Sequence, residues 1–316
     1  MKLLITRPLP TPVIARAQTL FEVTERASTE PMRTDEMRAA LRDFDLILPT
    51  LRDAFTAEIF ASAGQIRTRL LANFGVGFNH IDVQAARAHG VAVSNTPGAV
   101  TDATADIAMT LLLMAARRAG EGERLVRSGG WTGWHPTQML GQHVSGKVLG
   151  VVGMGRIGQA IARRCHFGFG MEVVFVNRSH RALDFPARQV DGIEALCRVA
   201  DFVVAAVPGG AGTEHLIGAS AFRAMKPTAV FVNISRGEVV DETALIAALQ
   251  TGEIAAAGLD VYEFEPEVPE ALRALENAVL LPHLGTATEE VRIGMGMLAL
   301  DNLEAFAVGR ALLNPV

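Results

Sequence analysis

A glycine-rich turn between an apolar strand and a helix constrains this chain more than any other feature. The run Val148–Val152 leads into Gly153, Gly155 and Gly158, which have the spacing G-x-G-x-x-G, and a second strand-like run follows at Val173–Val176. In that context the first glycine permits a tight turn, the second lets backbone N–H groups approach a pyrophosphate, and the third lets the helix pack on the strand. The turn therefore predicts a dinucleotide site at a helix amino terminus, where unpaired N–H groups favour an anion.

Composition and charge narrow the class of protein. The 316 residues are 49% hydrophobic and 20% charged, which suffices for two domains with large cores. A net charge of −5 without a basic tract argues against nucleic acid and anionic membranes as partners. Two cysteines without a C-x-x-C pair favour a reducing compartment and argue against a zinc site, so we expect no metal. No apolar run is long enough to span a bilayer, and a cytoplasmic location is predicted.

The first third of the chain alternates strands and helices, which predicts a parallel sheet of its own. The predicted strands are Lys2–Thr6, Leu46–Leu48, Leu70–Asn73 and Val91–Val93, and the predicted helices are Pro12–Leu20, Asp35–Leu41, Ala57–Ser62 and Asp82–His89. One long helix is predicted from Thr101 to Arg127, where a glycine pair ends it. The aromatic stretch 131–142 is predicted to be a loop.

A second alternating array begins at Lys147 and has six candidate strands, the number in a full doubly wound dinucleotide domain. These strands are Val148–Val152, Val173–Val176, Phe202–Ala206, Ala229–Asn233, Gly258–Val261 and Val279–Leu281. The last helix, Thr288–Val308, has no sheet of its own, so we expect it to pack on the first domain.

These elements predict an α/β protein with two doubly wound parallel-sheet domains, in which a Rossmann-type cofactor domain is inserted in a flavodoxin-like substrate domain. Residues 1–98 and 288–316 would form the discontinuous substrate-binding domain. Residues 99–287 would form the dinucleotide-binding domain, including the long helix and the loop after it. Ligand is expected in the cleft between the two domains.

Polar side chains follow several predicted strands of the second array. Arg236 stands beside Gly237 just beyond one strand, and its planar guanidinium suits a substrate carboxylate. His283 follows another strand, and a histidine with a nearby acid is the minimum for proton transfer coupled to hydride transfer. Such an acid would orient the imidazole and favour its protonated form. Spacing does not choose among the three candidate acids, which are Glu263, Glu265 and Glu267.

The end of the second strand bears on the choice of cofactor. An NAD site places an acid there to accept from the ribose 2′-OH, but this strand ends in Asn177, Arg178 and Ser179, with His180 and Arg181 beyond them. Arginine and serine would instead bind a 2′-phosphate. The sequence therefore predicts a preference for NADPH over NADH.

Six segments together resemble the D-2-hydroxyacid dehydrogenase family, and more narrowly its glyoxylate/hydroxypyruvate reductase branch. They occur in the family's order and span most of the chain: Asn73–Gly77, Gly153–Gly158, Asn233–Gly237, Gly258–Val261, Glu265-Pro266 and Leu281–His283. The resemblance implies an oxidoreductase that forms D-2-hydroxy acids from small 2-oxo acids by hydride transfer.

The resemblance also implies a role for each site residue. Arg236 would bind the substrate carboxylate and polarise the carbonyl, and Glu265 would be the partner of the acid/base His283. Further substrate contacts would come from Leu51, from Trp134, and from backbone N–H groups of the Gly75-Val76-Gly77 loop. The cofactor would contact Thr104, Gly153, Gly155, Arg156, Ile157, Gly158, Asn177, Arg178, Ser179, Val207, Pro208, Thr213, Ile234 and Asp260, the last facing the nicotinamide carboxamide.

A homodimer is expected on the same basis, because the helix Thr101–Arg127 and the loop Trp131–Trp134 form the interface in the family. Trp134 would then reach the substrate site of the partner subunit. The alternative is that both tryptophans are ordinary interface aromatics, a residue type common at interfaces.

Two other functions compete with this interpretation. Longer sugar-derived 2-keto acids such as 2-ketogluconate are alternative substrates, because the residues expected around C3 do not fix its substituent: Leu51, Arg52, Phe78, Trp134 and Arg292. A non-enzymatic, nucleotide-sensing corepressor would share the fold and the residues Arg236, Glu265 and His283, although such proteins usually carry disordered extensions.

The loop Pro208–Thr213 is richer in glycine than the corresponding loop of the family, so its contacts with the adenine side of the cofactor are expected to differ from the family's.

Overall fold

A computed structural model describes all 316 residues, Met1–Val316, as two compact units. Unit 1 combines Met1–Val100 with Thr286–Val316, and unit 2 is Thr101–Gly285. Each unit is built on one sheet, and every strand pair in both sheets is parallel. The predicted α/β class with two parallel sheets is confirmed.

Unit 1 holds a five-stranded sheet with helices around it. The strands are β1 (Lys2–Ile5), β2 (Glu22–Glu25), β3 (Leu46–Leu48), β4 (Leu70–Ala72) and β5 (Ala92–Ser94). The helices are α1 (Thr11–Leu20), α2 (Thr34–Asp43), α3 (Ala57–Ser62), α4 (Val83–Ala88) and, from the end of the chain, α12 (Glu289–Ala307). The order β2-β1-β3-β4-β5 is the flavodoxin-like order, whose switch point lies between β1 and β3.

Burial explains which of these strands are readable from the sequence. The strands β3 and β4 are buried along their whole length, so their residues are apolar without alternation. Strand β2 is absent from the prediction because it lies at the sheet edge and its two glutamates are exposed. Helix α12 packs on α1 within unit 1, and a Cβ at Gly296 would lie only 2.5 Å from the Val13 side chain.

Unit 2 holds a seven-stranded sheet with helices on its faces. The strands are β6 (Val148–Val152), β7 (Glu172–Val176), β8 (Arg188–Gln189), β9 (Phe202–Ala205), β10 (Val230–Asn233), β11 (Ala256–Leu259) and β12 (Ala278–Leu280). The helices are α5 (Thr101–Ala116), α6 (Ala119–Arg127), α7 (Arg156–Phe169), α8 (Ile193–Val199), α9 (Ala219–Ala224), α10 (Glu242–Thr251) and α11 (Glu270–Arg273), with a 3-10 turn at Gly237–Val239. The order β12-β11-β10-β9-β6-β7-β8 reverses direction between β6 and β9, as in a Rossmann sheet.

The single helix predicted over Thr101–Arg127 is wrong, because the chain forms two helices there. Arg118 has φ 51°, a left-handed conformation that a helix interior does not tolerate. Gln142 N–H donates to the Ala116 carbonyl at 2.7 Å, which satisfies a carbonyl at the end of α5. Gln142 is distant from Ala116 in the sequence, so the local sequence does not predict where the helix breaks.

Other features bear on membranes, metals and thiols. No helix combines the length and apolar composition that crossing a bilayer requires. No group of three or more His, Cys, Asp and Glu side chains is arranged to hold a metal ion. Cys165 and Cys197 are free and buried, and burial raises the pKa of each thiol to about 12. Both thiols are therefore protonated packing groups at neutral pH.

Candidate active site

The turn after β10 carries Arg236 and is held by its own side chains. The Asn233 side-chain oxygen accepts from Ser235 N–H at 3.0 Å and from Ser235 Oγ at 2.8 Å, and its Nδ2 donates to the Arg236 carbonyl at 3.0 Å. Gly237 is pressed against the backbone of Tyr262, where a Cβ would meet carbonyl atoms at 1.8 Å. Only glycine permits this approach, which brings the Arg236 turn against the segment Tyr262–Glu265.

Arg236 is a partly buried cation between carboxylates. Its Nη1 donates to the Ser235 carbonyl at 2.8 Å. Burial lowers the pKa of its guanidinium, and the negative charges of Glu265 and Glu238 oppose that shift. The guanidinium has therefore lost much of its water while remaining charged, so its electrostatic interactions are stronger than at the surface.

The loop after β12 carries His283 and is anchored by a buried carboxylate. Asp260, which follows β11, accepts from the N–H groups of Leu284 at 2.6 Å and Gly285 at 2.7 Å, and its carbonyl accepts from His283 N–H at 3.0 Å. Burial raises the pKa of the Asp260 carboxyl, against the two backbone donors and the charge of His283. His283 has φ 55°, a conformation that is rare outside glycine and found often at functional sites.

His283 and Glu265 form a direct pair. His283 Nδ1 lies 2.9 Å from Glu265 Oε2, and Glu265 Oε1 accepts from Tyr262 N–H at 3.1 Å. Burial disfavours the ionised form of Glu265, but the hydrogen bond and charge of His283, the Tyr262 N–H and the charge of Arg236 together lower the pKa of this carboxyl. An ionised Glu265 thus orients the imidazole and leaves its Nε2 for other partners.

The other two candidate acids lie elsewhere. Glu263 Oε1 is 2.8 Å from His215 Nε2, and this contact raises the pKa of His215. Glu267 is exposed. Glu265 is therefore the acid that the structure brings to His283, a choice that spacing in the sequence left open.

The glycine turn after β6 is shaped for a close approach by another molecule. A Cβ at Gly153 would lie 2.6 Å from the Ala206 carbonyl oxygen, and one at Gly158 would lie 2.1 Å from that of Gly153. A Cβ at Gly155 would meet no atom within 4 Å, although Gly155 precedes the first residue of α7. No side chain caps the amino terminus of α7, so its first N–H groups face open space at Gly155. These features fit a dinucleotide pyrophosphate.

The residues next to this turn occupy the end of β7. Asn177 Oδ1 accepts from Met154 N–H at 3.2 Å, and its Nδ2 donates to the Ser179 carbonyl at 2.9 Å. Arg178, Ser179 and the neighbouring Arg156 are exposed, whereas Ile157 is partly buried. No acid stands at this strand end.

The remaining predicted cofactor contacts lie in other parts of unit 2. Thr213 closes the loop after β9, since its Oγ1 bonds the carbonyls of Pro208 at 2.7 Å and Gly210 at 3.1 Å. Ile234 and Thr104 are buried, and Thr104 Oγ1 donates to the Gly285 carbonyl at 3.2 Å. Val207 is partly buried beside Gly153, where a Cβ would lie 2.7 Å from its Cγ1.

In unit 1, side-chain amides hold the loop after β4 by its backbone carbonyls. Asn73 Nδ2 donates to the carbonyls of Gly75 and Gly77, both at 3.0 Å, and Asn95 Nδ2 donates to that of Val76 at 2.8 Å. The carbonyls are thereby occupied, and the N–H groups of Val76 and Gly77 donate to no backbone carbonyl. Two adjacent N–H groups on a loop held in this way resemble the backbone arrangements that bind anions.

Two further predicted substrate residues lie in loops of the two units. Leu51 is partly buried in the turn after β3 of unit 1. Trp134 is 78% exposed in the loop after α6 of unit 2, where it contacts none of the catalytic residues by a hydrogen bond.

Sequence reasoning missed Glu238. Its Oε1 accepts from Gly210 N–H at 2.9 Å, and its charge acts on Arg236. Glu238 therefore joins the Arg236 turn to the loop Pro208–Thr213. The only signal in the sequence is its position two residues after Arg236, which by itself fits a surface glutamate equally well.

Comparison with known proteins assigns the family. Residues 109–285 match the family described as "D-isomer specific 2-hydroxyacid dehydrogenase, NAD binding domain". The glyoxylate reductase of Thermococcus kodakarensis is 44% identical over 98% of this chain and 93% of its own length. The glycerate dehydrogenase of Hyphomicrobium methylovorum is 36% identical over 98% and 96% of the two chains.

A solved structure supports the same assignment. The NADPH-dependent glyoxylate/hydroxypyruvate reductase of Sinorhizobium meliloti, in complex with NADP and malonate, superposes with a TM-score of 0.89 at 34% identity and covers 100% of this chain and 96% of its own. Sequence similarity over the full length, the two parallel sheets and the NAD-binding match agree with one another. The chain belongs to the D-2-hydroxyacid dehydrogenase family, in its glyoxylate reductase branch.

Proposed function

We propose that this protein reduces small 2-oxo acids of the glyoxylate and hydroxypyruvate type to D-2-hydroxy acids and prefers NADPH. The observation that carries the proposal is the pair formed by His283 Nδ1 and Glu265 Oε2 at 2.9 Å, with the desolvated cation of Arg236 next to Glu265. The names of the relatives, glyoxylate reductase and glycerate dehydrogenase, support the substrate class.

The proton transfer follows from the direction of the His283–Glu265 contact. Because Nδ1 is held by the carboxylate, the proton delivered to substrate sits on Nε2 of the imidazolium. A reduced nicotinamide, when bound, supplies the hydride to the C2 carbonyl carbon. His283 then donates the Nε2 proton to the carbonyl oxygen as negative charge develops there, and Glu265 stabilises the imidazolium before the transfer.

Arg236 acts on the substrate as a fixed positive charge. Its guanidinium would bind the carboxylate and stabilise the negative charge on the C2 oxygen in the transition state. Backbone N–H groups of Val76 and Gly77 would also bind a substrate carboxylate, and Leu51 and Trp134 would contact the rest of the substrate. On this proposal unit 1 is the substrate-binding domain and unit 2 the dinucleotide-binding domain.

The cofactor would be held at the amino end of α7. The open space at Gly155 and the uncapped N–H groups fit the pyrophosphate, and the exposed Arg178 and Ser179 fit a 2′-phosphate. Val207, Pro208, Thr213 and Ile234 would line the nucleotide, with Arg156, Ile157 and Asn177 near the glycine turn. Asp260 and Thr104 are joined to the His283 loop, and Asp260 would accept from the carboxamide with a remaining lone pair.

The test is a panel of 2-oxo acids assayed with NADPH and with NADH. Glyoxylate and hydroxypyruvate should be reduced with NADPH, and with a higher kcat/KM than with NADH. The value of kcat/KM for 2-ketogluconate should be lower than the values for these two acids. A higher value for 2-ketogluconate would move the assignment to sugar-derived acids. Binding of NADPH without turnover of any 2-oxo acid would contradict the proposal and favour a nucleotide sensor.

A further inference from the structure

The switch point of the unit 1 sheet has two arginines, Arg7 and Arg52, that the proposed reaction does not use. Ligands of doubly wound sheets bind outside the carboxyl ends of the strands at this point, which in unit 1 lies between β1 and β3. Arg7 follows β1, and Leu51 and Arg52 form a turn after β3 that is closed by Asp53 N–H donating to the Thr50 carbonyl at 3.1 Å.

The backbone stays in register beyond the strand ends, which places this turn beside the amide-bearing loop. Thr6 N–H donates to the Leu48 carbonyl at 3.3 Å, and Phe74 N–H donates to the Pro49 carbonyl at 2.9 Å. Neighbouring strands are about 4.8 Å apart. The turn at Leu51 and Arg52 is therefore the immediate neighbour of the Gly75–Gly77 loop, whose amides are proposed to bind the substrate carboxylate.

A buried carboxylate fixes the turn. Asp53 is fully buried and accepts from Thr6 Oγ1 at 2.6 Å, from Thr50 N–H at 3.0 Å and Oγ1 at 3.1 Å, and from Met32 N–H at 3.0 Å. Arg7 Nη2 lies 3.5 Å from its Oδ1. Since these donors occupy both oxygens of the carboxylate, Asp53 has no position left for a hydrogen bond from a second arginine.

Arg52 is the further cation. It is exposed, has φ 75° where glycine is the favoured residue, and forms no ion pair with any carboxylate. Arg7 Nη1 donates to the Leu51 carbonyl at 2.6 Å, so the two arginines share the turn. Burial lowers the pKa of Arg7, Asp53 raises it, and the charge of Arg52 lowers it again. Two positive charges thus repel each other at the carboxyl ends of β1 and β3, and the Arg52 backbone there is strained.

We propose that Arg52, supported by Arg7, binds a second anionic group on the substrate, so that this site favours 2-oxo acids with a carboxylate or phosphate beyond C2. The inference rests on the proposed reductase function. An anion at this position would relieve the repulsion between the two guanidinium groups, while the Val76 and Gly77 amides hold the first carboxylate. Arginine offers either anion a planar, two-pronged donor set.

The experiment compares substrates that differ only in the group on C3. Hydroxypyruvate carries a hydroxyl there, oxaloacetate a carboxylate and 3-phosphohydroxypyruvate a phosphate. For the wild-type protein, kcat/KM for at least one dianionic acid should exceed that for hydroxypyruvate, and the better of the two identifies the anion. Arg52→Gln should lower the ratio of kcat/KM for that acid to kcat/KM for hydroxypyruvate by about tenfold or more, the loss expected for one charge-assisted contact.

Arg69→Gln is the matched control. Arg69 is also an exposed arginine of unit 1 without an ion pair, but it precedes β4 at the opposite edge of the sheet. This variant should leave the ratio unchanged, and Arg52→Lys should retain part of it. If the protein reduces hydroxypyruvate but Arg52→Gln leaves the ratio of the two kcat/KM values unchanged, the role of Arg52 is wrong and the proposed function stands. A protein that reduces none of the three acids would overturn the proposed function itself.

Discussion

Arg236 is the residue at which a substitution should harm turnover most. Arg236→Ala removes a charge-assisted, two-pronged contact that strengthens in the transition state, which should cost on the order of 3 kcal/mol, or roughly a hundredfold or more in kcat/KM. Arg236→Lys keeps the positive charge but lacks the planar guanidinium, so its kcat/KM should lie between those of the wild type and Arg236→Ala. Steady-state kinetics should be measured for the wild type and both variants, with circular dichroism to verify that each variant is folded. Near-normal turnover in Arg236→Ala would contradict the assignment.

Glu265 should set the pH range of reduction. The contacts of Glu265 lower the pKa of its carboxyl, so the carboxylate that orients His283 is present at neutral pH and is lost only as the pH falls through that lowered value. Glu265→Gln removes the charged partner of the imidazole, so kcat/KM for reduction should fall by about tenfold or more, and the acidic limb of the pH–rate profile should shift to lower pH because no carboxylate is left there to gain a proton. Glu263→Gln is the control, because Glu263 pairs with His215 instead. A shift in the control but not in Glu265→Gln would reverse the two roles.

Arg178 should decide between the two nicotinamide cofactors. A charge-assisted hydrogen bond to a 2′-phosphate is worth about 1.5–3 kcal/mol, which corresponds to a tenfold to hundredfold preference for NADPH. The effect should appear mainly in KM, because the contact is remote from the reacting carbon. Arg178→Ala should weaken NADPH far more than NADH, whereas Arg223→Ala, at an exposed arginine on α9, should affect neither. Equal losses for both cofactors would mean that Arg178 does not bind the 2′-phosphate.

Among the elements, the glycine turn after β6 has one glycine whose substitution should affect protein stability, Gly158, and one whose substitution should affect cofactor binding, Gly155. Gly158→Ala forces a Cβ to 2.1 Å from a backbone oxygen, so the free energy of unfolding should fall by several kcal/mol. Gly155→Ala meets no protein atom and has φ −77°, so thermal unfolding without cofactor should change little. Its Cβ would occupy the space proposed for pyrophosphate, and the Kd for NADPH should rise at least tenfold by titration calorimetry. Unchanged affinity in Gly155→Ala would place the pyrophosphate elsewhere.

The elements also show what a sequence can and cannot predict. Strands such as β6 and β10 are readable because buried parallel strands need uninterrupted apolar residues. The edge strands β2 and β8 are not, because exposed side chains leave little apolar signal. The break at Arg118 depends on Gln142, and the choice of Glu265 over Glu263 depends on how the chain turns after Tyr262. Local pattern thus locates the strand ends, but the partners of each side chain depend on contacts distant in sequence.

At the scale of the whole molecule, one surface segment of unit 2 is unusually apolar. Helix α6 buries none of its residues, and four large apolar side chains of the segment 126–140 are more than half exposed: Val126 at 59%, Trp131 at 52%, Trp134 at 78% and Leu140 at 66%. Monomeric proteins seldom expose such a concentration of apolar surface. A two-fold pairing of two copies would cover it with the same segment of the partner.

We therefore expect a homodimer through α6 and the loop that follows it. Sedimentation velocity at micromolar concentration should give the mass of two chains, and Val126→Asp together with Leu140→Asp should give one chain with lower activity, because burying the new charges is costly. Phe167→Asp is the control, since Phe167 is 67% exposed on α7 outside the segment and should leave the dimer intact. Trp134→Ala should keep the dimer but raise KM for the 2-oxo acid if this ring reaches the substrate of the partner. A fully active wild-type monomer at micromolar concentration would contradict both expectations, because no second copy would then be needed to complete the site.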